Sequence, residues 1–394
     1  MRVTRTLRAT VGAALTGALF LGTGGWAAAD EHGNSQWPLT AFEAANIHEQ
    51  ATGKGVTVAV IDAGFHLEQQ DLTGKFLPLK KFSGGVEGQT QVLPGEDVRT
   101  HGTSMSALIA GHGHGAGGQQ GLRGLAPDAK ILPLEEHNAV PEAVRYAADH
   151  GADVVNMSIG VSKHVPDMCE SVHYAVEKGV VVVAAVGNDA LPKKNYPAAC
   201  PGVIGVGAVD ESGTAWDGGN FNSTVDLLAP GVDAPVLGGD SSSYGKSSGT
   251  SISSAYVSAS AALLREKFPD LTPGQIANRL VKTAGLPASV EKNGLKLPDA
   301  HYGYGFIKPL VALTKDIPAG PAAGPLPMPE GKASKTPVVA GADKGQDPDP
   351  PMGGKQAVLL YGGIGLGVVI VLGVIIGGVA LARRKGNAGG QSWG

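Results

Sequence analysis

The chain has 394 residues, a net charge of −4, 42% hydrophobic residues and 5% aromatics. That length gives room for one large or two ordinary domains with a proper core, and the near-balanced charge excludes a generally basic nucleic-acid binder. The 60 glycines and 26 prolines are unevenly spread, and their clustering divides the chain into segments.

At the N-terminus Arg2, Arg5 and Arg8 precede an apolar stretch from about Val11 to Leu21, followed by Ala27-Ala28-Ala29. A basic start, a short apolar run and small residues make residues 1–29 a secretory signal peptide cut after Ala29. An uncleaved anchor is the alternative, and the shortness of the run, broken by Gly and Thr, argues against it. The folded body is expected to begin just after this and run to about Asp316, so the domain is set at 30–316.

The body alternates short apolar runs with helical patterns. Strands are expected at Val56 to Asp62, Ile131 to Glu135, Asp153 to Ile159, Val180 to Val186, Val203 to Val209 and Val225 to Leu228. Helices are expected at His101 to Gly111, Val140 to His150, Asp167 to Lys178, Ser251 to Phe268 and Thr272 to Ala284. Runs such as "GVVVVAAVGN" are apolar on both faces, as a central parallel strand must be. The fold class is therefore α/β, a doubly wound, mostly parallel sheet flanked by helices.

After the body, residues 317–355 are rich in Pro, Gly and Ala without hydrophobic period and read as a disordered or polyproline-like tether. Residues 356–382 are almost wholly apolar and long enough to cross a bilayer, and Arg383-Arg384-Lys385 follows at once. A single C-terminal transmembrane helix is expected, with residues 383–394 as a short cytoplasmic tail and the body outside. The two cysteines, Cys169 and Cys200, both lie in the exported part, where a disulfide is the expected state and two buried thiols the alternative.

In an open parallel sheet, ligands collect beyond the carboxyl ends of the strands. Asp62 ends one strand, Ser158-Ile159-Gly160 and Gly187-Asn188 end others, and His101 and Ser251 open helices. Taken singly each has a plain reading. Asp62 is a turn residue, His101 a structural or solvated histidine, and Ser251 an N-cap. Taken together they supply what acyl transfer needs: a nucleophile, a base, an acid to orient the base, and oxyanion donors. His112 and His114, in "GHGHG", read as loop residues, because no further ligands stand at a useful spacing; no metal or cofactor is expected.

Five blocks, "VAVIDAGFH", "HGTSMSALIAG", "VVNMSIG", "VVAAVGND" and "SSGTSISSAYVSASAALL", resemble in order and spacing those of subtilisin-like serine proteases. The resemblance covers about Gln36 to Val311. It implies a serine endopeptidase with Ser251 as nucleophile, His101 as general base and acid, Asp62 as the orienting acid and Asn188 as the side-chain oxyanion donor. It further implies that Ser158, Ile159 and Gly160 pair with an extended peptide or protein substrate. The signal peptide, the very short interval before "QWPL", too short for a folded propeptide, the tether and the membrane helix are similar to the mycosins, membrane-anchored subtilases associated with type VII secretion. That likeness implies a Cys169–Cys200 disulfide, a place on the outer face of the cell membrane and a secretion complex as partner.

Three departures stand out. Ala63 replaces the hydroxyl residue usual after the aspartate, and Ala255 replaces a proline usual four residues after the serine. The loop after "KILPLEE" is short, which brings Glu135 and Glu136 near the cleft, where they would favour basic substrate residues or else simply be solvated. A slow, selective peptidase is the first expectation. A weakly active or inactive subtilase-shaped subunit that steadies a membrane secretion complex is the second. A lipid or glycan hydrolase would show Ser, Asp, His order and a Gly-x-Ser-x-Gly elbow, and neither is present.

Overall fold

The computed structural model describes residues 36–84, 100–163, 166–239, 241–291 and 294–328. The expected signal peptide, membrane helix and tail, and most of the tether, lie outside the described residues. Among the described residues no helix is long and apolar enough to cross a membrane.

The chain opens with two short helices, α1 (Trp37–Ala41) and α2 (Ala44–His48), and enters β1 (Thr57–Asp62) and β2 (Lys80–Ser83). Next come α3 (His101–Ala110), the ribbon β3 (His112–His114) and β4 (Gln120–Arg123), then β5 (Lys130–His137) and α4 (Val140–Asp149). β6 (Val154–Met157), α5 (Pro166–Glu177), β7 (Val181–Ala185), β8 (Val203–Val209) and β9 (Leu227–Pro230) complete the main sheet. A second ribbon, β10 (Ala234–Leu237) and β11 (Tyr244–Ser247), precedes α6 (Thr250–Lys267), α7 (Pro273–Thr283), α8 (Ala288–Glu291) and α9 (Pro309–Thr314).

The main sheet has seven strands in the order β2-β5-β1-β6-β7-β8-β9, and every neighbouring pair is parallel. The alternating pleat explains the apolar runs. Val58 and Val60 point into one core with Ile131, Val183 and Val206, while Ala59 and Ile61 point into the other with Leu134, Met157 and Val182. The first core is covered by α3, α6 and α7, the second by α4 and α5. α4 shows the sequence logic at its plainest. Its buried residues Val140, Ala143, Val144 and Ala147 fall on one helical stripe, and Pro141 sits in its first turn, where a missing N–H costs nothing.

Each helix and each main-sheet strand expected from the sequence is found, with ends shifted by one or two residues. The edge strand β2 was not expected, since "KKFS" is polar and short. Nor were the ribbons, and His112 and His114, expected in a loop, lie in β3. There His112 Nε2 contacts the carbonyl of Thr73 at 3.1 Å and His114 Nδ1 contacts Asp71 Oδ1 at 2.6 Å. Asp71, wholly buried, also accepts from Leu122 N–H and Tyr244 O–H, so this pair ties both ribbons to the turn after β1.

Cys169 of α5 and Cys200 before β8 form the disulfide. The Tyr196-Pro197 bond is cis. Past Asp316 the chain remains packed. The stretch expected to begin a tether at 317 is laid along α7 as far as Gly324, after which the Pro327 carbonyl accepts the Gly202 N–H and Met328 packs against the second core. Along α7, Arg279, Asn278 and Gln275 donate to the carbonyls of Ile317, Ala319 and Gly320, and Leu326 is buried.

Candidate active site

Asp62 is the last residue of β1 and 1% exposed; its Oδ1 accepts the N–H of Ala63 at 2.7 Å. His101 opens α3, and its Nδ1 lies 2.7 Å from the same Asp62 oxygen. The neighbourhood depends on Gly102. Its N–H donates to the Ala63 carbonyl at 3.2 Å, and a β-carbon there would come within 2.7 Å of the Phe65 ring and 3.0 Å of the Gly64 carbonyl. Thr103 Oγ1 accepts the His66 N–H at 2.8 Å, a second tie between helix and turn. A carboxylate accepting from Nδ1–H leaves Nε2 as the nitrogen able to take a proton.

Ser251 is in the first turn of α6 and is 5% exposed. Its Oγ donates to the Ser158 carbonyl at 3.3 Å, and Ser158 Oγ donates back to the Ser251 carbonyl at 3.1 Å. Behind this reciprocal pair, Asn156 Nδ2 donates to Ser158 Oγ at 3.1 Å and Asn156 Oδ1 accepts from Ser258 at 3.0 Å. Ser254 adds a 2.9 Å bond to the Ser251 carbonyl. Residues 251, 254 and 258 share one helix face, so three hydroxyls meet the end of β6. That lattice fixes the start of the 158–160 segment against the nucleophile candidate. Asn156, Ser254 and Ser258 were not singled out from the sequence, although a lone Asn in an apolar strand facing serines at helical spacing was the signal.

Asn188 is oriented by Thr250. Its Oδ1 accepts both the Thr250 N–H and the Thr250 O–H at 2.8 Å, and Thr250 Oγ1 accepts the Gly187 N–H at 3.2 Å. With the oxygen engaged, the amide nitrogen faces the other way, 3.5 Å from where a β-carbon on Gly249 would sit, at the N-terminus of α6. The helix dipole favours negative charge at that end. Asn220 anchors this loop, accepting from Asp189 and Leu191 N–H and donating to the Val186 carbonyl. Gly187, at φ +106°, has no room for a β-carbon between the Asn195 and Asn220 amides.

Of the two glutamates, Glu135 pairs with Lys81 at 2.8 Å. Glu136 is wholly buried, and its Oε2 accepts the Ala139 N–H at 3.0 Å. Burial holds its carboxyl above the ordinary glutamate range, and the charge of Asp62 pushes the same way. Neither residue is a freely solvated carboxylate. Among the described residues no group of three or more His, Cys, Asp or Glu could hold a metal ion.

A parallel sheet with a buried Asp–His pair and a helix-borne serine at one edge defines a class, and residues 53–305 match the subtilase family, to which the chain belongs. It is a subtilisin-like serine protease related to the mycosins. Mycosin-1 of Mycobacterium tuberculosis is 31% identical over 412 residues, spanning 88% of this chain and 84% of that protein. The major intracellular serine protease of Bacillus subtilis is 30% identical over 260 residues, 61% of this chain and 79% of that one. Among solved structures, MycP1 from the ESX-1 type VII secretion system superposes with a TM-score of 0.59 at 28% identity, covering 74% of this chain and 88% of that chain.

Proposed function

We propose that this subtilase is an extracytoplasmic endopeptidase, exported by residues 1–29 and anchored by residues 356–382, that cleaves exported proteins beside a type VII secretion complex. The observation that carries the catalytic part is the 2.7 Å Asp62–His101 bond at the sheet edge from which the Ser251 helix also starts. In this mechanism His101 Nε2 takes the Ser251 proton as Oγ adds to the scissile carbonyl carbon. Asp62 holds the imidazole ring and stabilises its positive charge. The oxyanion accepts from Asn188 Nδ2–H and Ser251 N–H. Collapse breaks the C–N bond, His101 gives its proton to the leaving amine, and water repeats the sequence to release the acyl group. The substrate backbone lies extended along Ser158, Ile159 and Gly160.

The test is labelling of the purified protein by a fluorophosphonate probe. The parent should be labelled and Ser251→Ala should not, with unchanged circular dichroism; equal labelling of both would remove Ser251 from the reaction. The second reading, a structural subunit of the secretion complex, draws on the Ser251 hydroxyl donating to the Ser158 carbonyl, an arrangement that engages the nucleophile's own proton. It expects Ser251→Ala to support secretion while deletion of the whole protein does not, and intact secretion after deletion would end it.

A further inference from the structure

A narrow slot opens beside the segment on which substrate is proposed to lie. Glu136, Ile159, Gly160, Met168, Tyr196 and Pro197 are among its walls. It encloses about 310 Å³ counting its open mouth and is narrow enough to hold no more than about one water molecule. Most of these walls are apolar. Asn138 and Glu136 are polar, and Glu136, 0% exposed, has two carboxylate oxygens that are treated unequally. Oε2 closes the 136–139 turn by accepting the Ala139 N–H, whereas Oε1 is buried and accepts from no described residue. A glutamate serving only the turn would turn its other oxygen to water. A buried carboxylate oxygen left unmatched carries a desolvation cost that a bound donor would relieve.

The neighbouring cations do not fill this role. Lys81, next to the β2 residue paired with Glu136, is taken by Glu135. An extended peptide pairing along 158–160 sends alternate side chains to opposite faces, so one of them meets the slot beside Ile159 and Gly160. The Ser158 carbonyl contacts Ser251 Oγ, so Gly160 leads away from the cut. At rest the slot holds no more than about one water molecule, so an entering side chain has to part its walls, and an unbranched methylene stem displaces them least.

We infer that Glu136 is a specificity-determining residue: the acidic floor of a slot that takes a lysine or arginine side chain of a bound peptide, a few residues from the cut. The inference rests on the peptidase reading for the placement of the peptide. Apolar walls hold the methylene stem, and Glu136 Oε1 receives the cation's N–H in a desolvated, charge-assisted bond.

The test separates binding from turnover. Ser251→Ala protein is titrated by fluorescence polarisation with labelled peptides of otherwise neutral sequence, carrying a single Lys, or norleucine in its place, moved along the chain. At one position Lys should bind on the order of tenfold tighter than norleucine. Adding Glu136→Gln, which keeps an oxygen for the Ala139 N–H, should bring the two peptides within about twofold. Equal binding of Lys and norleucine at every position, or no binding of either, overturns the inference, as does a preference that survives Glu136→Gln. If Glu136→Gln does not fold, the Lys-against-norleucine comparison on Ser251→Ala alone still decides whether the slot takes a cation. The same peptides offered to the parent protein test the underlying reading separately. Ser251-dependent hydrolysis without a charge preference overturns the slot alone, and no Ser251-dependent hydrolysis overturns the peptidase.

Discussion

Asn188 can serve an oxyanion only while its amide nitrogen faces the reaction, and Thr250 decides which way the amide points. On the role proposed for it, Asn188→Ala should lower kcat about 100- to 1,000-fold with little change in KM, the range typical of removing one oxyanion donor. Thr250→Val keeps the backbone N–H bond but loses the hydroxyl between Gly187 and Asn188; we expect a loss of about tenfold in kcat, recovered by Thr250→Ser. Steady-state kinetics on one peptide substrate measures both. Away from the site, burial pushes the Asp226 carboxyl up to about 7, opposed by a single bond from the Gly205 N–H. The folded chain therefore keeps a proton that the unfolded chain has lost between about pH 4 and 7, and stability falls as pH rises through that window. Asp226→Asn keeps an acceptor for Gly205 and removes the titration. Its melting temperature should exceed the parent's at pH 8 and match it near pH 4; a gain equal at both would refute the buried-acid account. At this scale the sequence spoke through chemistry-bearing residues standing in recognisable blocks, as with Asp62, His101 and Ser251. Thr250, Asn156 and Asn220 were not singled out, because their partners lie far along the chain and no local pattern marks them.

Elements were legible where both faces are buried. A strand such as β7, "VVVAA", can only be a run of apolar residues, and α4 can only be an amphipathic stripe. β2 and the two ribbons have neither signature, and their pairing is set by which edge is free beside them. The boundary at Asp316 failed for a related reason. A Pro- and Gly-rich stretch has no period, so nothing in it announces that α7 offers Arg279, Asn278 and Gln275 as donors to its carbonyls. Ending the chain at 316 should leave these donors unmatched and uncover the site of Leu326, lowering Tm by several degrees relative to a chain ending at 328. Equal melting would make the stretch a passenger. The disulfide acts on a neighbouring element by pinning α5 to the start of β8. Replacing both Cys169 and Cys200 by Ala should cost about 3 to 4 kcal/mol in denaturant unfolding, in the chain-entropy account.

At the scale of the molecule, the doubly wound architecture was readable because alternating strand and helix patterns leave few topologies open. The edge carrying the site followed from the rule that ligands gather at strand carboxyl ends. The slot at Glu136 did not follow, since β5, the turn after it, the end of β6 and the cis Tyr196-Pro197 segment must all be in place before it has walls. The reciprocal bonds between Ser158 and Ser251 join residues 93 apart in sequence, and among the described residues no strand of the main sheet pairs with a sequence neighbour through a hairpin. Such distant pairings form slowly, because chain closure must precede the contacts that reward it. α6 packs against β6, β7, β8 and β9 and is made after all of them. A chain folded only through β8 could hold the Asp–His pair but not Ser251, so on the role proposed for Ser251 the peptidase is completed only when α6 docks on the strands made before it.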